Sequence, residues 1–387
     1  MSHSGITDEA ARALLSIIVA TPSVNPAFQG PDDPADHFGE DKLARALAEW
    51  LEAAGLPATL DEVSPGRPNL ITGVEGTGEK RMIWECHLDT VQVTGMAAPF
   101  DPVVRDGRLY GRGAVDDGGC IAAFLLALRA LADDPPACSV DVVAAMDEEF
   151  AYRGVLHHLD RNEVYDLAIA GEPTDLRVVR ACKGCVRWVV ALGGRAAHTS
   201  KPDEGLNAID AARGLLAAYD DEMARRTLSH PLLGPATLVC TGIEAGQGPN
   251  TVPSVCKVRF DYRYLPHETG AAVHADFAAI ARSLPKAMPG LTVDVGAPFV
   301  DSSAMDVPET EPIVTQMGTV CASHGIDPVP IGVPFGSDAT KLFNNGGIPS
   351  IVFGPGSIEQ AHALDEHVEL SQVTQAARML VDLARGL

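Results

Sequence analysis

The chain predicts an α/β fold: a mostly parallel sheet flanked by helices, with a smaller α+β module inserted into it. Three observations carry that reading. Short β-type runs alternate with helical stretches over the first 180 residues and again near the C-terminus. Clusters of His, Asp and Glu stand just after those runs, where open α/β sheets bind their ligands. Between the two tracts the pattern changes to two helical stretches among about four strands.

Taken in order, MSHSGITDEAARALLSIIVATPS spaces its apolar residues as an amphipathic helix and has no basic region before them, so it does not read as a secretory leader. The loop VNPAFQGPDDPADHFGED is polar, rich in Pro, and expected to be exposed. NLITGV and RMIWEC read as strands, Cys120 to Ala132 as a helix, and VDVVAAM, DLAIAG and SIVFGPG as further strands. In the middle, CVRWVVAL, ATLVCTGI, SVCKVRFDYRYL and LTVDVG are strand-like, while GLNAIDAARGLLAAYDDEMARR and AAVHADFAAIARSL are helical. The expected organisation is a discontinuous domain of residues 1–180 and 296–387 with residues 181–295 inserted.

With 46% hydrophobic residues in 387, the chain can fill the cores of two ordinary domains. A formal charge of −23 repels phosphate backbones and anionic lipid, which argues against nucleic-acid and membrane partners. The longest apolar run, CIAAFLLALRALA, is 13 residues and too short to span a bilayer. Eight dispersed cysteines in a chain this large are expected to be reduced and buried, and Cys182 and Cys185 read as two strand residues. A cytoplasmic location follows.

The chemistry collects at the strand ends. RMIWEC runs into His87 and Asp89; GRLYGRGAV precedes Asp116 and Asp117; VDVVAAM precedes Asp147, Glu148 and Glu149; DLAIAG precedes Glu172; SIVFGPG leads to His362, Asp365, Glu366 and His367. Seven carboxylates from the first four clusters, converging on one sheet end, would repel one another unless cations stood among them. Nearby Arg112 and Arg153 are few for that task. On residue types and spacing alone two readings stay open: hydrogen-bonded histidines with solvated acidic loops, or a site for two divalent ions.

The ordered motifs ECHLDTV, LYGRGAVDDGG, MDEEF, GEPT and GPGSIEQAHALDEHV resemble the signature of the di-zinc aminoacylase, acetylornithine deacetylase and succinyl-diaminopimelate desuccinylase family of metallopeptidases, over nearly the whole chain. The ending GPGSIEQAH with DEH is most similar to the acetylornithine deacetylase branch. The resemblance implies a zinc-exopeptidase-like catalytic domain with an inserted dimerisation, or lid, domain. It implies two zinc ions per chain, replaceable by cobalt, one held by His87, Asp116 and Glu172 and the other by Asp116, Glu149 and His362, with Asp116 bridging. Asp89 would fix the tautomer of His87, Glu148 would be the general base for a zinc-bound hydroxide, and the Asp116–Asp117 peptide would be cis. In the insert, GRAAHTSKP places His198 where the family has a histidine that reaches across a dimer interface to the oxyanion. GQGPNTVPSVC, FDYRYLP and FGSDA place Asn250, Arg263, Gly336 and Ser337 at substrate-holding positions, Arg263 as a fork for an α-carboxylate.

Implied, then, is a homodimeric amidohydrolase that removes the acyl group of an N-acyl amino acid, with an N-acetylornithine-like substrate favoured. A desuccinylase, carboxypeptidase or dipeptidase is the alternative within the family, and a silent metabolite-binding relative the alternative outside catalysis. Two positions depart from the pattern: Gly118 stands where relatives commonly carry lysine, and His367 where tyrosine is common.

Overall fold

The computed structural model describes residues 3–387. They form two compact units. The first runs to Arg180 and takes in Val307–Ile331 and Ser337–Leu387; the second is Ala181–Asp306 with Gly332–Gly336.

The first unit is built on strands β1 (Thr59–Ser64), β2 (Arg67–Val74), β3 (Arg81–His87), β4 (Ser139–Ala145), β5 (Leu167–Ala170) and β6 (Ser350–Val352), in the order β1-β2-β4-β3-β5-β6. The four strands β4, β3, β5 and β6 are parallel to one another, while β1 and β2 add antiparallel to the β4 edge. β3 is buried from Met82 to His87, which is why RMIWEC lacks the alternation of a half-exposed strand. The helices of this unit are α1 (Asp8–Ala20), α2 (Asp41–Ala53), α3 (Gly118–Asp133), α4 (Arg153–Leu159) and α5 (Leu370–Gly386), with further ones at Pro312–Ser323 and Ala339–Asn344. Thr7 caps α1 by accepting from the amide of Ala10.

α3 is apolar nearly all round, and it packs between the sheet and helices α1 and α5. Phe124 of α3 lies 5.7 Å from Trp84 of β3, ring centre to ring centre, and both are fully buried. Each such side chain withdrawn from water contributes roughly 1.5–3 kcal/mol, which anchors the helix whose first residues adjoin the acidic clusters.

In the second unit the strands Thr237–Ala245, Val255–Tyr264, Gly184–Gly193 and Thr292–Val295 form an antiparallel sheet in that order. Val255–Tyr264 alternates exposed and buried residues, so one face is core and the other is not. The helices Ala208–Arg225 and Gly270–Ser283 cover the core face through Tyr219 and Phe277, which pack with Trp188 and Phe260 of the sheet. Trp188 stacks on Phe260 at 5.5 Å and 26°. The unit continues to Asp306 rather than ending at 295, because Val300–Ser302 pairs with Gly184–Gly193.

Other expectations shift as well. The loop that begins at Val24 is buried at its start, where Val24 and Asn25 are closed off from solvent. All eight cysteines are free, and seven are buried as expected, but Cys240 is exposed on the outer strand of the second unit. Cys182 ends one strand and Cys185 lies in the next. No helix among the described residues is long and apolar enough to cross a membrane.

Candidate metal centre

Adjacent parallel strands end on one side of a sheet, so β4, β3 and β5 deliver their following residues to one place. His87 is the last residue of β3, Asp147–Glu149 follow β4, and Glu172 follows β5. Asp116 and Asp117 enter at the start of α3, their shared peptide bond cis as the resemblance implies. His362 comes from the loop after β6 with a φ of 63°.

These side chains form two groups. Ligand atoms of His87, Glu148 and Glu172 lie within 4.8 Å of one another, and so do those of Asp116, Glu149 and His362. Asp116 reaches a histidine of each group with a different oxygen: Oδ1 is 2.9 Å from His87 Nε2, and Oδ2 is 3.2 Å from His362 Nε2. His362 Nε2 also lies 3.0 Å from Glu149 Oε1. That is the disposition a carboxylate needs to bridge two cations. Histidine nitrogens and carboxylate oxygens are the donor set of zinc and cobalt, and both groups fit a divalent ion.

The electrostatics point the same way. Burial, with Asp116 and other carboxylates adding to it, pushes Glu172 well above the usual carboxylate range. Burial does the same to Glu148, although His87 opposes it. Burial acts to raise Asp116 too, yet the hydrogen bonds of His362 and His87 hold it low. Hydrogen bonds to Asp116 and Glu149 raise His362 to about 10. Buried carboxylates crowded in this way call for positive charge among them.

The supporting contacts were only partly foreseen. The Nδ1 of His87 is 2.9 Å from the backbone carbonyl of Asp89, an acceptor only, so Nδ1 carries a proton and Nε2, which faces Asp116, is the nitrogen a metal would take. The Asp89 carboxylate stands 3.8 Å from that nitrogen. Its oxygens accept instead from the amides of Glu148 at 3.0 Å and Glu149 at 3.1 Å. Asp89 therefore holds the tautomer of His87 through its main chain and holds the acidic triplet through its side chain.

Glu366 plays the matching part for Asp116. One of its oxygens accepts from the amides of Val115 and Asp116 at 3.1 and 3.2 Å, and the other from Arg112 at 2.5 Å. A short antiparallel ribbon of Val103–Arg105, Arg108–Tyr110 and His367–Glu369 brings the two segments together. Spacing drew attention to Glu366 and Arg112 but assigned them no role, because their contact spans 254 positions. The glycine at 118 is explained locally: a Cβ there would lie 2.2 Å from the carbonyl oxygen of Gly113, so no side chain fits this backbone. His367 instead packs on Tyr110, ring centres 4.7 Å apart.

Of the proposed substrate contacts, Ser337 belongs to the first unit, buried, its Oγ accepting from the amide of Ala339 at 3.3 Å. The second unit holds His198, Asn250, Arg263 and Gly336. His198 is exposed, with Nδ1 2.8 Å from Ser200 Oγ, and Asn250 adjoins it through its carbonyl, which accepts from the amide of Thr199 at 3.0 Å. Arg263 already has a carboxylate in its fork: Nε and Nη2 donate to Asp261 at 2.8 and 3.3 Å, and Arg187 shares that acid at 2.6 Å. Gly336 lies against Ser302, whose Oγ would be 3.3 Å from an added Cβ.

Comparison with known proteins agrees with this architecture. An acetylornithine deacetylase of Aliivibrio salmonicida is 26% identical over 376 residues, covering 95% of each chain. In three dimensions the chain is similar to a tripeptidase of Staphylococcus aureus, with a TM-score of 0.80 at 19% identity and 98% of each chain covered. It also matches a Bacillus subtilis protein described as a dinuclear metal binding peptidase, with a TM-score of 0.71 at 15% identity over 98% of this chain and 97% of that one. The profile of Peptidase family M20/M25/M40 matches residues 83–386, from β3 to the end of α5 and thus through every strand end that supplies the centre, and the chain belongs to that family.

Proposed function

We propose that this member of the family is a two-metal amidohydrolase that removes the acyl group from an N-acyl amino acid, with an N-acetylornithine-like substrate favoured. One observation carries the reading: the buried Glu148 carboxylate stands in the same group as His87 and Glu172, and its amide is tied to Asp89. A proton acceptor is thereby held beside two sets of cation ligands. Two divalent cations there, zinc or cobalt, would lower the pKa of a shared water and polarise the amide carbonyl. His87, Asp116 and Glu172 would hold one, and Asp116, Glu149 and His362 the other.

Glu148 then takes a proton from water and returns it to the leaving nitrogen; its burial raises its affinity for the proton it would carry. His198 offers a donor where negative charge develops on the carbonyl oxygen, supplied by the partner of a homodimer. The exposed outer strand Thr237–Ala245, where Val239 and Ile243 are 55% and 52% exposed, supports such a partner. Asn250, Gly336 and Ser337 would hold the substrate, and Arg263 its α-carboxylate, in competition with Asp261. Free cysteines support a cytoplasmic location.

A hydrolysis screen of N-acetyl, N-succinyl and N-formyl amino acids and of dipeptides, with zinc or cobalt present, tests the reading. N-acetylornithine is expected to lead; a strict preference for dipeptides would replace the deacylase by a dipeptidase. Glu148→Ala is expected to keep two metal ions and lose about 10²–10⁴-fold in kcat, and retained activity would remove the proposed base. His198→Ala is expected to lose about 10²–10³-fold without changing the elution volume of the dimer, and an unaltered rate would end that role.

A further inference from the structure

Asn25 lies in none of the clusters that drew attention in the sequence, yet it is completely buried among them. Its side-chain nitrogen donates to two acids at once, Asp89 Oδ2 at 2.7 Å and Asp147 Oδ1 at 2.9 Å. Its side-chain oxygen accepts from the amide of Ala27 at 2.9 Å, which settles the orientation of the group: flipped, it would point an oxygen at two carboxylates. Its own amide donates to Thr90 at 2.9 Å, and the amide of Thr90 donates to Ser23 at 3.1 Å, so the loop is stitched to the segment just after His87.

The two acids differ in their other partners. Asp147 is neutralised by Arg153 at 2.6 Å and Arg67 at 3.2 Å, and Arg67 is in turn paired with the buried Glu40. Among the described residues no guanidinium bonds to Asp89, which accepts from the amides of Glu148 and Glu149. Asp147, Glu148 and Glu149 are consecutive, and Asp147 turns the chain with a φ of 71°. Glu148 and Glu149 are therefore held by one acid that Asn25 grips, and Asp147 is the other. Two carboxylates this near each other need hydrogens between them without a further charge, and an amide nitrogen with two hydrogens supplies that.

We propose that Asn25 is a positioning residue for the hydrolysis: by joining Asp89 to Asp147 it sets where the Glu148 and Glu149 carboxylates stand, one in each ligand group. The proposal rests on the reading above for its effect on turnover, but not for its effect on metal binding. Outer contacts of this kind are worth about 10–100-fold in metal affinity or activity.

The test compares Asn25→Ala with Asn25→Asp. Asp keeps an oxygen for the Ala27 amide but has no hydrogens to offer, so it adds a third carboxylate to the pair. If Asn25 served only to cap its loop, Asp would be nearly neutral and Ala the more damaging. The positioning role gives the opposite order: kcat falls about 10–100-fold in Asn25→Ala and further in Asn25→Asp, with KM within about threefold of the parent. A parent-like kcat in Asn25→Asp overturns the proposal. Calorimetric titration of metal-free Asn25→Ala with zinc alone is expected to show affinity about 10–100-fold weaker at unchanged stoichiometry. Unchanged zinc affinity also overturns it. Because that titration needs no substrate, it separates failure of this proposal from failure of the proposed reaction.

Discussion

His87 and Asp116, 29 positions apart in the chain, meet at 2.9 Å, imidazole Nε2 to carboxylate Oδ1. The atoms that would bind a cation lie within hydrogen-bond distance of each other. Burial alone would lower His87, but the hydrogen bond and charge of Asp116 raise it well above its usual value. A proton and a cation would therefore compete for these atoms.

Zinc binding to the metal-free protein at neutral pH should release protons, since His362 is held at about 10 and Glu172 well above the carboxylate range. The sign follows: affinity weakens as pH falls. Calorimetry at pH 7 in two buffers of different ionisation heat measures the release. No buffer dependence would contradict the geometry.

His87→Ala and His362→Ala should each reduce the protein from two zinc ions per chain to one, because each removes the sole histidine of one ligand group. Metal analysis of the loaded, desalted variants decides. Two ions in either variant would break the assignment.

Arg112→Met should destabilise the protein by about 3–5 kcal/mol, since it leaves the buried Glu366 without its cation. The double variant Arg112→Met with Glu366→Gln should recover part of the loss, the unpaired charge having gone. Denaturant unfolding checks both. Equal losses in the single and double variants would mean that packing, not charge, is the cause.

His158 is buried against the Tyr165 hydroxyl at 3.1 Å, and burial holds its pKa down at about 4. The unfolded chain, with a value near ~6.5, binds this proton first as pH falls. Its contribution is fully present above about 6.5 and is lost as pH falls through about 4. His158→Phe should therefore flatten the stability profile across that window, measured by unfolding at stepped pH. A parallel profile would show that His158 does not titrate there.

The side-chain types of the candidate ligands and the strand positions were legible in the sequence because they are local properties. Apolar runs name the strands, and a histidine or acid at a strand end has its location set by the strand itself, as with His87 and Glu172. Unit boundaries were less legible, since Val300–Ser302 joins its sheet through a partner more than a hundred positions away.

What the sequence determined by itself is the α/β plan and the identity of the groups at its sheet ends, since periodicity and side-chain chemistry need no knowledge of distant contacts. Only the tertiary structure decided what each acid does. Asp89 turned its carboxylate to the Glu148 and Glu149 amides and left the imidazole to its carbonyl. Asn25, in a Pro-rich stretch that reads as exposed, bonds to Asp89 across 64 positions. A buried carboxylate takes whichever donors folding brings within about 3 Å, and that choice is made in space, between segments whose sequences carry no record of each other.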